Sequence, residues 1–393
     1  MVAVFVIYGL ISEETDSMAA NGENQRERMR ERPRKGGKPM SKSFVNKVLL
    51  GGAVAAGAAV WAIAPRSFSD KRRNYVPAVP DVWYAHRGLH DAGSGLTAQY
   101  ANESGEYVAL ARRMAMKAGY GSPDTPGVIA PENSLAAFAA ACEAGYGIEL
   151  DLQMTRDGEV VVVHDGDLMR VAGDPRRIAD LTYDELTRIP LFPTDAPGAC
   201  KAAPLPLALE EPPLVTTPDN APEGYYQHVP LFADVLKVVA GRVPLIVEYK
   251  FDDNSKWDPR DVELMEKGDA LLQAYSGKYV IESFNPAAVN WYKENRPEVC
   301  RGQLSWWPQG EEKPSDPAAL AKEYAAGALI FDWISRPDFV AYDWHGGNSP
   351  QVRLARFMGA VPVSWTVRSR DELAQCDDWF DHHIFEAFVP DEQ

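Results

Sequence analysis

The chain has 393 residues, of which 46% are hydrophobic and 24% are charged, and its formal net charge is −16. This composition is typical of a globular protein with one large domain or two ordinary ones. The acidic balance argues against a nucleic-acid-binding protein, which needs a basic face to neutralise phosphates. The four cysteines are far apart in the sequence, so neither a zinc site nor a disulfide framework is indicated.

An uncharged apolar run near the N-terminus raises the question of a membrane. Residues 48–64 form a charge-free stretch of 17 residues, which is the lower limit for a transmembrane helix. The segment 26–47 before it has nine Lys or Arg and two Glu, and this asymmetry favours an N-terminus in the cytoplasm. We predict a disordered basic segment over 1–44, a transmembrane helix or signal anchor over 45–65 and a linker over 66–80.

These assignments predict a single-pass protein of the cell membrane whose catalytic domain lies on the extracytoplasmic side. Two alternatives remain for the apolar run, a cleaved signal peptide and a buried helix of a soluble protein. Ala62-Ile63-Ala64 resembles a small-x-small cleavage site, although Pro65 follows it directly. Either Met18 or Met40 could serve as the start of translation.

From residue 81 to 393, strand-like apolar runs alternate with helix-like stretches. Eight such runs, interleaved with helices, predict a TIM (β/α)₈ barrel; they are 82–86, 147–152, 159–163, 243–248, 278–283, 299–304, 327–331 and 361–366. An open doubly wound sheet is the alternative, but the glycine-rich phosphate loop that would favour it does not follow the first run. Two stretches, at about 89–130 and 192–228, are predicted insertions, and long loops of this kind are often functional.

Carboxylates and histidines stand at the ends of these runs. Glu149 and Asp151 are two residues apart on one strand, so both point to the same face, where they would repel each other unless a cation lies between them. Glu248 ends a later run. Oxygen-only ligation favours Mg²⁺ or Ca²⁺ over zinc. His86 and His164 also end apolar runs, and catalytic groups in barrels lie at the C-terminal ends of strands.

Two cations accompany these residues. Arg87 follows His86 directly, and Lys250 lies two residues after Glu248. A guanidinium can bind a phosphate as a bidentate fork and an ammonium as a point charge. The alternative is that both cations form ion pairs with the same carboxylates.

The motifs resemble those of the glycerophosphodiester phosphodiesterase family. The resemblance covers most of 81–393. The combination of its sequence blocks in this order is specific to the family, whereas any single block would be weak evidence. The blocks are Tyr84-Ala85-His86-Arg87-Gly88, Ala130-Pro131-Glu132-Asn133-Ser134, Glu149-Leu150-Asp151 with Thr155-Arg156-Asp157-Gly158, His164-Asp165, Glu248-Tyr249-Lys250, Glu282-Ser283-Phe284 and Trp365-Thr366-Val367.

The resemblance implies a TIM barrel that hydrolyses glycerophosphodiesters to an alcohol and sn-glycerol 3-phosphate, within lipid or glycerol-phosphate metabolism. It implies an acid/base pair, phosphate-binding cations, a supporting glutamate and a site for one divalent cation, Mg²⁺ or Ca²⁺. These roles fall on His86 and His164, on Arg87 and Lys250, on Glu132, and on Glu149, Asp151 and Glu248, respectively. The chain departs from the family in its long first loop and in its last block, where Arg368 follows Trp365-Thr366-Val367.

Two other functions remain open at this point. The same barrel can serve a phospholipase D-type hydrolase that acts on lysolipids, and a barrel that has lost catalysis can serve as an anchored binding domain. The predicted partners are a small-molecule glycerophosphodiester and, through the N-terminal helix, a membrane; no nucleic acid is expected. The oligomeric state is not predicted.

Overall fold

The computed structural model describes residues 56–66, 79–193 except 126, and 227–391 except 253, 255 and 309–314. Several predicted segments therefore fall wholly or mostly outside the described residues: the basic segment 1–44, the greater part of the span 45–65, most of the linker 66–80 and most of the insertion 192–228.

Eight parallel strands form a closed barrel, which confirms the predicted TIM fold. In chain order the strands of the described residues are β1 (Tyr84–His86), β2 (Gly147–Met154), β3 (Val160–Val162), β4 (Asp167–Leu168), β5 (Asp174–Arg177), β6 (Leu245–Tyr249), β7 (Tyr279–Ser283), β8 (Arg301–Ser305), β9 (Phe339–Asp343), β10 (Val361–Val367) and β11 (His382–Phe385). The barrel order is β1-β2-β6-β7-β8-β9-β10-β11, and β11 pairs with β1 to close it.

Helices cover the outside of the barrel. Within the described residues they are α1 (56–63), α2 (Ala101–Lys117), α3 (Leu135–Ala144), α4 (Met169–Ala172), α5 (Tyr183–Leu186), α6 (Phe232–Val239), α7 (Pro259–Gln273), α8 (Pro286–Asn295), α9 (Pro317–Gly327), α10 (Asp332–Ser335), α11 (Pro350–Phe357) and α12 (Arg370–Cys376). Local sequence sets several of their ends. The Asp258 side chain accepts from the backbone N–H groups of Arg260 and Asp261 at the start of α7, as N-cap residues do.

The alternation of side chains along the strands decides which residues face the barrel interior. In β6, Ile246 packs in the cluster inside the barrel, whereas Leu245 and Val247 pack toward the helices. The period of two therefore turns Glu248 inward as well. By the same alternation Glu149 and Asp151 of β2 face the interior, because their apolar neighbours pack outward.

Two of the predicted strands are not barrel strands. Residues 327–331 were expected to form one, but they contain the end of α9 and a turn, in which Leu329 has a φ of 58°. Periodicity cannot distinguish such a short apolar run from a buried turn. The run 159–163 is a strand, but β3 pairs antiparallel with the upper part of β2, outside the barrel wall. Their places are taken by β9 and β11.

The insertion after β1 is an ordered part of the described structure. Its helix α2 packs against α3, and Tyr107, Ala111 and Ala115 are buried in the core that the two share. At its base the Asp91 carboxylate accepts hydrogen bonds from the backbone N–H groups of Ile129 and Ala130 and from Arg112. Asp91, near the start of the insertion, thus binds the residues at its end.

The chain before the barrel packs against one end of it. The Arg336 guanidinium donates to the carbonyls of Trp61 and Ala64, and the Trp61 ring stacks on Trp333 with centroids 5.6 Å apart. Arg336 precedes β9, so this contact lies at the N-terminal ends of the strands, opposite the predicted site. Among the described residues, no helix is both long and apolar enough to cross a membrane.

Candidate active site

Three buried carboxylates converge at the C-terminal end of the barrel. Glu149 and Asp151 come from β2 and Glu248 from β6, and one oxygen of each lies within 4.8 Å of the others. Asp151 and Glu248 are register partners across the two strands. The sequence analysis predicted these three residues as metal ligands, and the fold brings them together.

The electrostatics of the three carboxylates suit a divalent cation. Burial, with the charges of Asp151 and Glu248, raises the pKa of Glu149 well above its usual value. Burial raises the pKa of Glu248 to about 7, although Lys250 opposes the shift. One buried oxygen of Asp151, Oδ1, makes no hydrogen bond, although the Lys250 ammonium lies beside it. An oxygen-only set of buried donors fits Mg²⁺ or Ca²⁺, and the three residues therefore fit the implied cation.

The two predicted phosphate-binding cations border the carboxylates. Lys250 Nζ lies 2.8 Å from Glu248 Oε2 and 3.2 Å from Asp151 Oδ1. Arg87 donates from Nη1 to Glu132 over 2.8 Å, and its backbone N–H donates to Glu149. Both cations are thus paired with carboxylates in the ligand-free site, and both stand beside the place where a bound anion would meet the metal ligands.

His86 is held by a carboxylate on one ring nitrogen and faces the site with the other. Its Nδ1 lies 3.1 Å from Glu386 Oε2, and its Nε2 lies 3.9 Å from Glu149 Oε2. His86 and Arg368 lower the pKa of Glu386 despite its burial, so Glu386 is ionised and can only accept. The Nδ1–H must therefore donate, which leaves Nε2 as the base.

His164 has the same arrangement with a different partner. Its Nδ1 lies 2.6 Å from Asp165 Oδ1, and the preceding residue, Val163, donates its N–H to the carbonyl of Asp151. Burial, with Arg87 adjacent, lowers the pKa of His86 to about 4, and burial with Arg87 and Lys250 does the same for His164. Both imidazoles are therefore neutral near pH 7 in the ligand-free protein.

The Glu132 carboxylate connects two arginines, Arg87 and Arg170. It accepts from Arg87, from both terminal nitrogens of Arg170 at 2.6 and 2.9 Å, and from the backbone N–H of Ser94. Arg170 in turn donates to Asp165 over 2.6 Å. Glu132 thus connects Arg87, through Arg170, to the His164–Asp165 pair.

Glu386 is a functional candidate that the sequence analysis missed. Its buried carboxylate accepts from His86, from His90 Nε2 at 3.0 Å, from the backbone N–H of Gly95 at 2.9 Å and from Arg368 Nε at 3.0 Å. Its only signal in the sequence was a lone carboxylate directly after Ile384-Phe385. Arg170 and Asn133, which donates to Asp151 over 2.8 Å, were also missed.

Comparison with known proteins assigns this barrel to a family. Residues 122–385 match the glycerophosphoryl diester phosphodiesterase family, a stretch that includes more than half of the chain. The chain belongs to that family. Within the family's matched range lie the three metal-ligand candidates, Lys250 and His164, whereas His86 and Arg87 precede it.

Two curated relatives align with this chain over short stretches. A glycerophosphodiester phosphodiesterase of Caldanaerobacter subterraneus is 43% identical over 60 residues, which are 15% of this chain and 25% of that protein. Glycerophosphodiester phosphodiesterase 1 of Bos taurus is 41% identical over 61 residues, which are 15% and 18%. The chain therefore spans a quarter or less of the length of these curated relatives.

A solved structure agrees with the fold over a much longer range. A protein of Silicibacter pomeroyi, provisionally assigned to the glycerophosphoryl diester phosphodiesterases, superposes with a TM-score of 0.51 at 20% identity. The superposition covers 84% of this chain and 94% of that one. At this identity the similarity supports the barrel fold alone.

Proposed function

We propose that the protein hydrolyses glycerophosphodiesters to an alcohol and sn-glycerol 3-phosphate, in the metabolism of lipid-derived or glycerol-phosphate compounds. The observation that carries this proposal is one constellation at the C-terminal end of a barrel of this family. It combines the three converging carboxylates with two cations and two neutral histidines, each held by its own carboxylate.

The charged residues account for binding and for stabilising the transition state. A divalent cation held by Glu149, Asp151 and Glu248 would supply Lewis-acid stabilisation of a phosphoryl oxygen. Arg87 and Lys250 bind the other phosphoryl oxygens as charge develops on them. Glu132 keeps Arg87 in place through its 2.8 Å hydrogen bond, so the guanidinium need not reorganise during the reaction.

The two histidines account for proton transfer. One histidine takes a proton from the attacking oxygen as that oxygen bonds to phosphorus. The other histidine donates a proton to the alcohol oxygen as its bond to phosphorus breaks. Because a bound anion favours the charged imidazolium, substrate raises the pKa of the histidine nearer to it, which lets that residue donate. We assign the acid role to His164, since its side chain is 33% exposed against 11% for His86, so that a departing alcohol has a path to solvent there.

The direct test measures hydrolysis of glycerophosphocholine with and without EDTA, in the wild type and in a His86→Ala, His164→Ala double variant. We expect chelation and the double substitution each to abolish turnover, because each removes a group on which bond cleavage depends. His382→Ala is the matched control, because His382 lies at the N-terminal end of β11, away from the site. Full activity in the double variant would refute the mechanism.

Two further measurements separate the alternatives. Release of choline from lysophosphatidylcholine, with no hydrolysis of deacylated diesters, would instead assign a phospholipase D-type lysolipid hydrolase. Failure to bind either Mg²⁺ or Ca²⁺ in calorimetry would instead assign a non-catalytic binding domain.

We also propose that the segment 45–65 tethers the barrel to the cell membrane with the catalytic domain on the extracytoplasmic side. The uncharged run 48–64 and the basic segment before it support this topology. Resistance of the protein to carbonate extraction and its digestion by protease added to intact cells would support the proposal; extraction into the soluble fraction would contradict it.

A further inference from the structure

A cavity with aromatic walls lies beside the candidate active site. It has a volume of about 290 Å³, and it opens at the C-terminal ends of β8, β9 and β10. Six of the side chains that line it are Trp306, Trp307, Trp365, Glu323, Asp343 and His345. We call this the head-group cavity. The proposed hydrolysis uses none of these residues.

One aromatic ring, that of Phe284, contacts both Lys250 and two tryptophans that line the head-group cavity. Lys250 Nζ lies 5.8 Å from the centroid of the Phe284 ring. The Phe284 ring also contacts Trp306 and Trp365, with centroids 5.4 and 5.5 Å away. A phosphodiester held at Lys250 would therefore extend one of its two ester groups past Phe284 and into the cavity.

The aromatic part of the wall presents ring faces of different orientation. Trp306 and Trp365 lie 6.3 Å apart with an interplanar angle of 57°, and 40% of Trp306 is exposed. Tryptophan faces attract a cation within about 6 Å of the ring centroid more strongly than other aromatic faces do. Two tilted tryptophans therefore form part of a cage that a rounded cation can fill.

Among the described residues that line the head-group cavity, the two carboxylates are Glu323 and Asp343. Glu323 is half-buried, and no Lys or Arg of the described residues forms an ion pair with it. Asp343 accepts from the His345 ring and backbone, at 2.8 and 3.0 Å, and so stays in place. The described lining contains no Lys or Arg, in contrast to the phosphate side of the site, where Arg87 and Lys250 stand.

We propose that the head-group cavity binds the alcohol moiety of the substrate when that moiety carries a positive charge, as a quaternary or primary ammonium does. The inference rests on the proposed phosphodiesterase function and makes it more specific. The anionic phosphate would lie against Lys250 and Arg87, and the cationic end of the alcohol would lie between the tryptophans and the two carboxylates. A neutral alcohol of the same shape would not be attracted by the tryptophan faces or by the carboxylates.

The experiment compares two diesters of equal shape. One is glycerophosphocholine, and the other is its neutral isostere, in which a tert-butyl group replaces the trimethylammonium. We expect the wild-type kcat/KM for the cationic diester to exceed that for the neutral one by about tenfold or more. We expect Trp306→Leu and Glu323→Gln each to lower this ratio by about fivefold. Glu266→Gln, an exposed charge on α7, is the matched control and should leave the ratio unchanged.

A binding measurement separates failure of this inference from failure of the proposed function. Calorimetry with choline chloride and with 3,3-dimethylbutanol should detect binding of choline only, and Trp306→Leu should weaken it. If neither diester is hydrolysed but choline still binds in this manner, the proposed activity is wrong and the cavity assignment stands. Equal kcat/KM for the two diesters, or variants that lower both equally, would overturn the assignment and leave the activity in place.

Discussion

The Glu386 carboxylate accepts four hydrogen bonds beside the candidate site. It is fully buried and accepts from two imidazoles, one guanidinium and one backbone N–H. Its hydrogen bond to Nδ1 fixes the tautomer of His86 and points Nε2 toward Glu149. A carboxylate in this relation to a catalytic imidazole orients the ring and stabilises its charged form. Glu386 is therefore a positioning residue for His86.

We predict that Glu386→Gln lowers kcat by about 10- to 100-fold, because the amide removes the charge that orients the imidazole. Since Glu386 is one of the groups that raise the pKa of His86, its neutralisation should lower that pKa further below about 4. Proton NMR titration of His86 reports this shift, which a merely structural defect would not produce. Glu298→Gln, distant from the site, is the control. An unchanged pKa of His86 would contradict the assignment.

The raised pKa of Glu248 predicts that cation binding depends on pH. A ligand carboxylate must lose its proton, and burial holds the pKa of Glu248 at about 7 in the ligand-free protein. We expect Mg²⁺ or Ca²⁺ to bind more tightly as pH rises toward about 8, and to release protons when it binds near pH 6. Calorimetry in two buffers of different ionisation enthalpy measures the protons released. An equal affinity for the cation at pH 6 and at pH 8, without proton release, would contradict this prediction.

At the residue scale, the motifs sufficed for groups that lie within a short stretch of chain or follow a strand. Glu149 and Asp151 share a strand, and the period of two turns both inward, as expected. Glu386 and Arg170 could not be found in this way, because their roles depend on partners far along the chain. Glu386 meets His86 across 300 positions, and only the closed barrel determines that contact.

Among the elements, the insertion after β1 is anchored by a buried ion pair in addition to the packing of α2 on α3. Asp91 is fully buried and Arg112 nearly so, and they meet over 2.8 Å. Asp91 also satisfies two backbone N–H groups of the returning chain. The same insertion supplies His90, Ser94 and Gly95 to the network around the site, so its attachment affects both stability and geometry.

We predict that Asp91→Ala lowers the free energy of unfolding by about 3–5 kcal/mol, because it leaves a buried guanidinium and two N–H groups without this partner. Chemical denaturation measures the loss. Asp184→Ala is the matched control, since the ion pair between Asp184 on α5 and Arg188 after it is exposed, and such pairs contribute about 0–1 kcal/mol. Equal losses in the two variants would show that Asp91 does not anchor the insertion.

The elements also show where apolar runs mislead. The run 327–331 was predicted as a strand because it is short and apolar, but it follows α9 directly and packs as a turn. The true last strand, β11, begins with His382 and His383, so it gave no continuous apolar signal. His383 is nevertheless buried, because its ring bonds the Ser364 hydroxyl over 2.7 Å and stacks on Trp83.

For the whole molecule, the three converging carboxylates predict that stability depends on the cation. A carboxyl whose pKa is higher in the folded state than in the unfolded state destabilises the fold as pH rises, and Glu149 and Glu248 are of this kind. Ionisation of these two carboxyls therefore lowers the free energy of unfolding, and a bound cation offsets that loss.

We expect saturating Mg²⁺ or Ca²⁺ to raise Tm, and to raise it more near pH 8 than near pH 6, where protons compete for Glu248. At a concentration of 100 times Kd the stabilisation should be about 2.7 kcal/mol. Differential scanning calorimetry measures it, and EDTA should reverse it. Glu248→Gln should abolish the increase, because its amide is a poorer ligand and carries no charge. An increase that persists in this variant would place the bound ion elsewhere.

At the scale of the molecule, the alternation of strands and helices was enough to predict the barrel, because strand-like and helix-like runs differ in period over most of 81–393. The packing of the chain around Trp61 on Trp333 was not predictable. It depends on the shape and exposed groups at the end of the barrel, and no local pattern encodes them.

The pairing of β11 with β1 has a consequence for the order of events during synthesis. His86 lies on the first barrel strand, and the carboxylate that orients it follows the last one. A nascent chain that stops before β11 carries the carboxylates for the metal and both histidines, but neither a closed barrel nor an oriented His86. Because contacts between distant segments form late in folding, we expect hydrolytic competence to appear only after β11 and Glu386 have left the ribosome.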